Sequence, residues 1–231
     1  MAMIARWETT FCLLTVASLL SGIPGARADD LMAGGRIATQ GTAKGVPACI
    51  TCHGETGAGN ATTAFPRLGG IDASYLLAQL NAFADGTRQN SMMQPLASLL
   101  SVKDRKAVAA YFASLPALKA NDTASPQPSN VGAWIATRGR WEQGLPACAQ
   151  CHGPGGIGVG SVFPPLAGQP ASYIANQLHG WKDGIRPPGP MALMSVVASK
   201  LSDTDITAVA VYYSEIGRRA ADGATSNGSK K

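Results

Sequence analysis

One string written twice constrains this chain more than any other feature. Pro47-Ala48-Cys49-Ile50-Thr51-Cys52-His53-Gly54 returns as Pro146-Ala147-Cys148-Ala149-Gln150-Cys151-His152-Gly153. Further matches follow in the same order at a near-constant offset. Phe65-Pro66-Arg67-Leu68-Gly69-Gly70 pairs with Phe163-Pro164-Pro165-Leu166-Ala167-Gly168, and Ala73-Ser74-Tyr75-Leu76 with Ala171-Ser172-Tyr173-Ile174. Asp85-Gly86 returns as Asp183-Gly184, and Leu100-Ser101 with Asp104 as Leu201-Ser202 with Asp205. A unit repeated at this scale folds as two copies of one domain.

The copies are expected at 29–115 and 130–220. Between them 116–129 is rich in Pro, Ser and Ala and reads as a linker, and 221–231 reads as a disordered tail. The first 28 residues have the plan of a secretion signal: Arg6, an apolar run over 11–20, and Ala26-Arg27-Ala28 as a cleavage site. The apolar run is shorter than the roughly 20 residues a spanning helix needs. An uncleaved N-terminal anchor is the alternative. The mature chain is expected to be periplasmic and to lack a transmembrane helix.

Each copy reads as helices joined by Gly/Pro loops, with no strand-like alternation, so the fold class is all-α. A short helix precedes each Cys pair. A second starts near Ser74 or Ser172 with apolar residues at helical spacing. The last opens at Ser101-x-x-Asp104 or Ser202-x-x-Asp205, a capping-box pattern. A small Gly/Pro-rich domain has little apolar core of its own, and a buried cofactor would supply the missing surface.

Cys-x-x-Cys-His is the attachment signature of a c-type haem: two thiols for the two vinyl groups and an adjacent imidazole for the iron. Two disulfides would account for the cysteines but not for a histidine after each pair. Zinc would need more Cys or His ligands in each half, and beyond the motifs the mature chain offers only His179, expected on a helix surface. The reading is two covalent haem c groups held by Cys49, Cys52 and His53, and by Cys148, Cys151 and His152. Downstream, in polar Pro/Gly-containing loops expected just before the last helix, Met92-Met93 and Met191-Ala192-Leu193-Met194 offer a second axial ligand. Met93 and Met194 each stand seven positions before the Leu of a Leu-Ser cap and are the chosen ligands, with Met92 and Met191 as alternates. His/Met ligation fills both axial positions, which favours electron transfer over catalysis. The charge of +5 and pI near 9.1 are offset by four haem propionates and give no argument for nucleic acid.

The paired Cys-x-x-Cys-His-Gly, Phe-Pro-x-Leu-x-Gly, Tyr-x-x-x-Gln-Leu and Met…Leu-Ser-x-x-Asp strings resemble the cytochrome c4 type, tandem class I cytochrome c domains each wrapped around one haem. The resemblance implies that the carbonyls of Pro66 and Pro164 accept the second ring proton of each axial histidine. It also implies domains in pseudo-twofold contact, with haem propionate edges close together. The function it implies is a soluble carrier between a quinol-oxidising complex or dehydrogenase and a terminal oxidase. A dedicated cytochrome subunit of a periplasmic dehydrogenase is the alternative, and a diheme peroxidase or thiosulfate-oxidising enzyme the rival from another class. The departure from the family pattern is Leu96, where a second Met is common, which leaves Met92 against Met93 open.

Overall fold

The computed structural model describes residues 24–118, 127 and 129–227. Most of the expected signal, residues 1–23, and linker residues 119–126 and 128 lie outside the described residues, as do 228–231 of the expected tail. Helices account for all the regular structure among the described residues, apart from three isolated bridges.

The first half contains α1 (Pro24–Gln40), α2 (Ile50–His53), α3 (Ala73–Ala84), α4 (Met93–Leu99) and α5 (Val102–Ser114). The second contains α6 (Val131–Arg138), α7 (Cys148–His152), α8 (Ala171–Lys182), α9 (Leu193–Ser199) and α10 (Asp203–Asn227). The starts follow the sequence signals. Asp72 accepts the Ser74 and Tyr75 N–H groups at the head of α3. Ser101 and Asp104 form the reciprocal capping box of α5, and Ser202 with Asp205 repeats it for α10 (3.1 Å each way).

In each half the first helix crosses the last at a glycine. A Cβ built on Gly34 would stand 2.0 Å from the Ala107 carbonyl oxygen, and one on Gly132 2.2 Å from that of Ala208. The backbones therefore touch, and only hydrogen fits there. Around the crossings lie two cores. The first holds Ala38, Ile71, Leu76, Val108, Ala109 and Phe112. The second is larger and brings in Ile206, Val209, Tyr212, Tyr213 and Ile216 from α10.

Three expectations change. The methionines do not sit in plain loops: Met93 opens α4 and Met194 lies in the first turn of α9. Pro95 suggested a loop, but a proline in the first turn forfeits only an N–H with no intrahelical partner. The start of the linker is packed. Leu118 lies against the second core, and Arg67 donates to the Pro116 carbonyl (2.9 Å). Finally, α10 runs to Asn227, so 221–227 is helical, in keeping with helix-forming Ala221 and Ala224 and with an Asn-Gly stop signal. At the other end α1 begins at Pro24, ahead of the expected cleavage after Ala28.

Candidate functional site

Each Cys-x-x-Cys-His string is wound into one turn of helix. Cys49 is the N-cap of α2, itself helical (φ −62°, ψ −34°), and Cys52 and His53 follow within the helix. Cys148, Cys151 and His152 all lie in α7. Positions i, i+3 and i+4 share a helix face, so two thiols and an imidazole address one side in each half. The four cysteines are not bridged to one another and are of intermediate burial. Burial raises the Cys49 thiol and pushes Cys148 up to about 11. Gly54 and Gly153 end the turns at φ 80° and 77°, a left-handed conformation that suits glycine. The reversal lets Gly59 and Gly158 donate to the His53 and His152 carbonyls, both at 2.8 Å.

Both histidines are buried. Nδ1 of His53 lies 2.9 Å from the Pro66 carbonyl oxygen, and Nδ1 of His152 2.7 Å from that of Pro164. Burial lowers the pKa of each imidazole, against a smaller opposing effect of the proline hydrogen bond. A neutral ring that donates its Nδ1 proton to a carbonyl keeps Nε2 as a free lone pair. The acceptor loops are fixed from behind: Leu68 and Gly69 donate to the Gly57 carbonyl, and Leu166 and Ala167 to that of Gly156. Phe65 and Phe163 flank the imidazoles with ring centroids 6.1 Å away in both halves.

Of the methionine candidates, Met93 and Met194 are half-buried, whereas Met92 is 47% and Met191 74% exposed. The two helices superpose in register: Ala97 and Ala198 are fully buried, and Ser98 and Ser199 each donate back to the carbonyl three residues earlier. That register makes Met93 and Met194 equivalent. The lead-in differs. Asn90 Oδ1 accepts the N–H groups of Met92 and Met93 (3.1 and 2.8 Å), whereas Met191 and Ala192 enter α9 at φ 59° and 53°.

Between the halves lies a cluster that the sequence reading missed. Arg88 is buried and donates to Gln79 of its own half (2.7 Å) and to Tyr173 and Gln177 of the other (3.2 and 2.7 Å). Arg186 mirrors it, donating to Gln177 (2.8 Å) and across to Gln79 (3.4 Å). Each guanidinium covers an aromatic ring, Phe83 at 4.5 Å and Trp181 at 3.8 Å. Burial, reinforced by the neighbouring Arg88 charge, lowers the pKa of Arg186. Among the described residues neither arginine is paired with a carboxylate. The signal was present as Asp-Gly-x-Arg, which recurs at 85–88 and 183–186. His179, by contrast, lies at the surface 4.0 Å from Asp203, as expected of a helix-surface residue.

Two thiols and a free imidazole nitrogen on one helix face, with a downstream thioether, fit a haem in each half, and Arg88, buried, and Arg186, half-buried, supply positive charge without a carboxylate partner among the described residues.

Comparisons with known proteins agree. The family model described as cytochrome c matches residues 38–116, and that described as cytochrome c oxidase, cbb3-type, subunit III matches 136–212. The chain is 44% identical over 209 residues to the thiosulfate dehydrogenase electron acceptor of Stutzerimonas stutzeri (strain A1501), covering 90% of this chain and 95% of that one. It is 38% identical to the cytochrome c4 of Pseudomonas aeruginosa, over 71% of this chain and 81% of that one. Among solved structures, reduced recombinant cytochrome c4 from Pseudomonas stutzeri matches with a TM-score of 0.66 and 33% identity, over 79% of this chain and 96% of that one. A thiosulfate dehydrogenase (TsdBA) from Marichromatium purpuratum matches with a TM-score of 0.73 and 40% identity. That match covers 80% of this chain and 40% of the longer one.

Proposed function

Because the chain belongs to the diheme cytochrome c4 family, an electron-transfer family with two covalent haem c groups, we propose that it is the electron acceptor of a periplasmic thiosulfate dehydrogenase. The observation that carries this reading is the match to acceptors of that name: 44% identity over 95% of the Stutzerimonas protein, and 44% over 76% of one from Thiomonas intermedia (strain K12). The periplasmic location rests on the N-terminal signal pattern and on the oxidising side of the membrane where exported proteins reside. No helix among the described residues is long and apolar enough to cross a membrane.

Each half would hold its haem through Cys49, Cys52, His53 and Met93, or through Cys148, Cys151, His152 and Met194. When bound, the haem iron would supply reversible one-electron chemistry in each half. The chain's own groups set the conditions. Pro66 and Pro164 hold the ring proton of each histidine, which fixes the plane of the imidazole and increases its basicity. Arg88 and Arg186 offer charge to anionic propionates and bind one domain to the other in the same contacts. Two haem sites in one chain would suit a donor that releases two electrons. Delivery onward to a terminal oxidase completes the carrier's cycle.

The test is anaerobic stopped-flow mixing of the oxidised cytochrome with a purified thiosulfate dehydrogenase and thiosulfate. Both haems should reduce in a dehydrogenase-dependent, saturable reaction that outpaces a mono-haem cytochrome c control. Reduction no faster than the control would assign the chain to another donor, such as a quinol-oxidising complex.

A further inference from the structure

The first half's histidine loop is held in part from the other domain. Gln169 precedes α8 and is buried at 5% exposure. Its side-chain Oε1 accepts the Arg67 N–H at 3.0 Å, and its Nε2 donates to the Arg67 carbonyl at 2.9 Å. Both polar atoms of one peptide-bearing residue are thus gripped by a single amide, the pairing that a neighbouring strand would make. Arg67 directly follows Pro66, whose carbonyl accepts from His53. A second contact from the same helix end, Ser172 Oγ to the Ala61 carbonyl at 3.2 Å, falls on the same loop upstream of Phe65.

The matching positions of the other half cannot return this grip. Ile71 stands where Gln169 would be and is buried in its own core, with no amide to offer. Pro165 stands where Arg67 would be, has no N–H, and restricts its own backbone through the ring. The second loop is therefore stiffened by its own covalent structure, and the first by an amide borrowed from its neighbour.

We propose that Gln169 is a positioning residue for the first haem: by clamping Arg67 it fixes the Pro66 carbonyl and so the orientation of the His53 ring. This rests on the reading of His53 as an axial ligand with Pro66 as its partner. A clamp that acts through an axial histidine acts on redox potential, because a firmly held Nδ1–H···O bond makes the imidazole more basic and favours ferric iron. Docking of the domains would then tune one centre and leave the other alone.

The test uses the full-length diheme protein labelled with ¹⁵N-histidine, as wild type, Gln169→Leu and Gln169→Glu. In the reduced state, NMR reads the Nδ1 protons of His53 and His152, and a redox titration reads both centres. In wild type both ring protons should exchange slowly with solvent. Gln169→Leu, which keeps the apolar bulk and removes both hydrogen bonds, should speed exchange and shift the His53 resonance, and raise the first midpoint potential. His152 and the second potential should stay in place. Gln169→Glu keeps the acceptor for the Arg67 N–H but sets a second oxygen against the Arg67 carbonyl, so it too should disturb the His53 signals while those of His152 stay in place. Should the His53 proton exchange freely in wild type, the ligand reading itself fails. If it is protected in wild type and unchanged in Gln169→Leu, or if both histidines respond equally, Gln169 is an ordinary interface residue and the proposal is overturned.

Discussion

The two halves carry the same haem-binding string, but they secure it by different means. In the second, α10 brings Tyr212, Tyr213 and Ile216 into the core, Pro165 stiffens the histidine loop, and Arg140 grips Asp205. The first half has Thr42 in the place of Arg140 and Arg67 in the place of Pro165, and it takes its clamp from Gln169 across the seam. Duplication thus preserved the chemistry while allowing the supporting contacts to diverge. At the histidine loop the first copy leans on the second, and the second does not lean on the first.

That asymmetry is open to attack at several scales. The largest effect should come from removing an attachment pair. Replacing Cys148 and Cys151 with Ala should leave one covalent haem by mass spectrometry and loosen both halves, because the first depends on the second. Replacing Cys49 and Cys52 should also leave one haem but spare the second half, as read by hydrogen exchange over α10. Equal damage in both directions would break the comparison.

Gly34→Ala and Gly132→Ala should act alike, since both force a methyl against a helix carbonyl at the same crossing. Overpacking of this kind costs about 3 kcal/mol, and chemical denaturation of each variant checks it. A milder loss at one crossing would locate further asymmetry there.

Arg140→Ala should separate the halves. Asp205 is buried, accepts from Arg140 at 2.7 Å on both oxygens, and is held at about 2, principally by those bonds and secondarily by Ser202. The folded pKa is depressed, so the stabilisation is complete above the usual carboxylate value of 3.8 and disappears as pH falls from there towards 2. It amounts to roughly 2 kcal/mol at neutral pH. Arg140→Ala should remove about that much from the second half and flatten its acid dependence, whereas Thr42→Ala should change the first by a few tenths. Hydrogen exchange over α5 and α10 between pH 2 and 6 would show it.

The smallest effect concerns the entry to α9, where Ala192 is held at φ 53°. Ala192→Gly should stabilise the second half by up to about 1 kcal/mol, visible as a small rise in thermal midpoint.

Much of this architecture was legible in the chain. The repeat fixed two domains, the Cys-x-x-Cys-His strings marked the haem sides, and Ser101 and Ser202 marked the last helices, because those signals are local. Pro66 and Pro164 came from family resemblance, since no local rule ties a proline carbonyl to a distant imidazole. Arg88 and Arg186 escaped notice because their role exists only when two domains meet. Gln169 was hidden for the same reason, its partner lying 102 residues away. Pro95 concealed a helix whose first turn it occupies, and Leu118 was lost in a stretch whose composition otherwise says linker. What sequence patterns conveyed least was the seam, where neither copy alone contains the interaction.

The account stands on two closed centres, one per half, and carbon monoxide tests this directly. The spectrum of the reduced wild-type protein should not change under the gas, because the proposed ligands Met93 and Met194 would occupy the positions it needs. Met93→Ala and Met194→Ala should each admit one carbon monoxide per chain, at the haem of the altered half. Binding to reduced wild type, or a Met93→Ala protein that still excludes the gas, would contradict the closed pair.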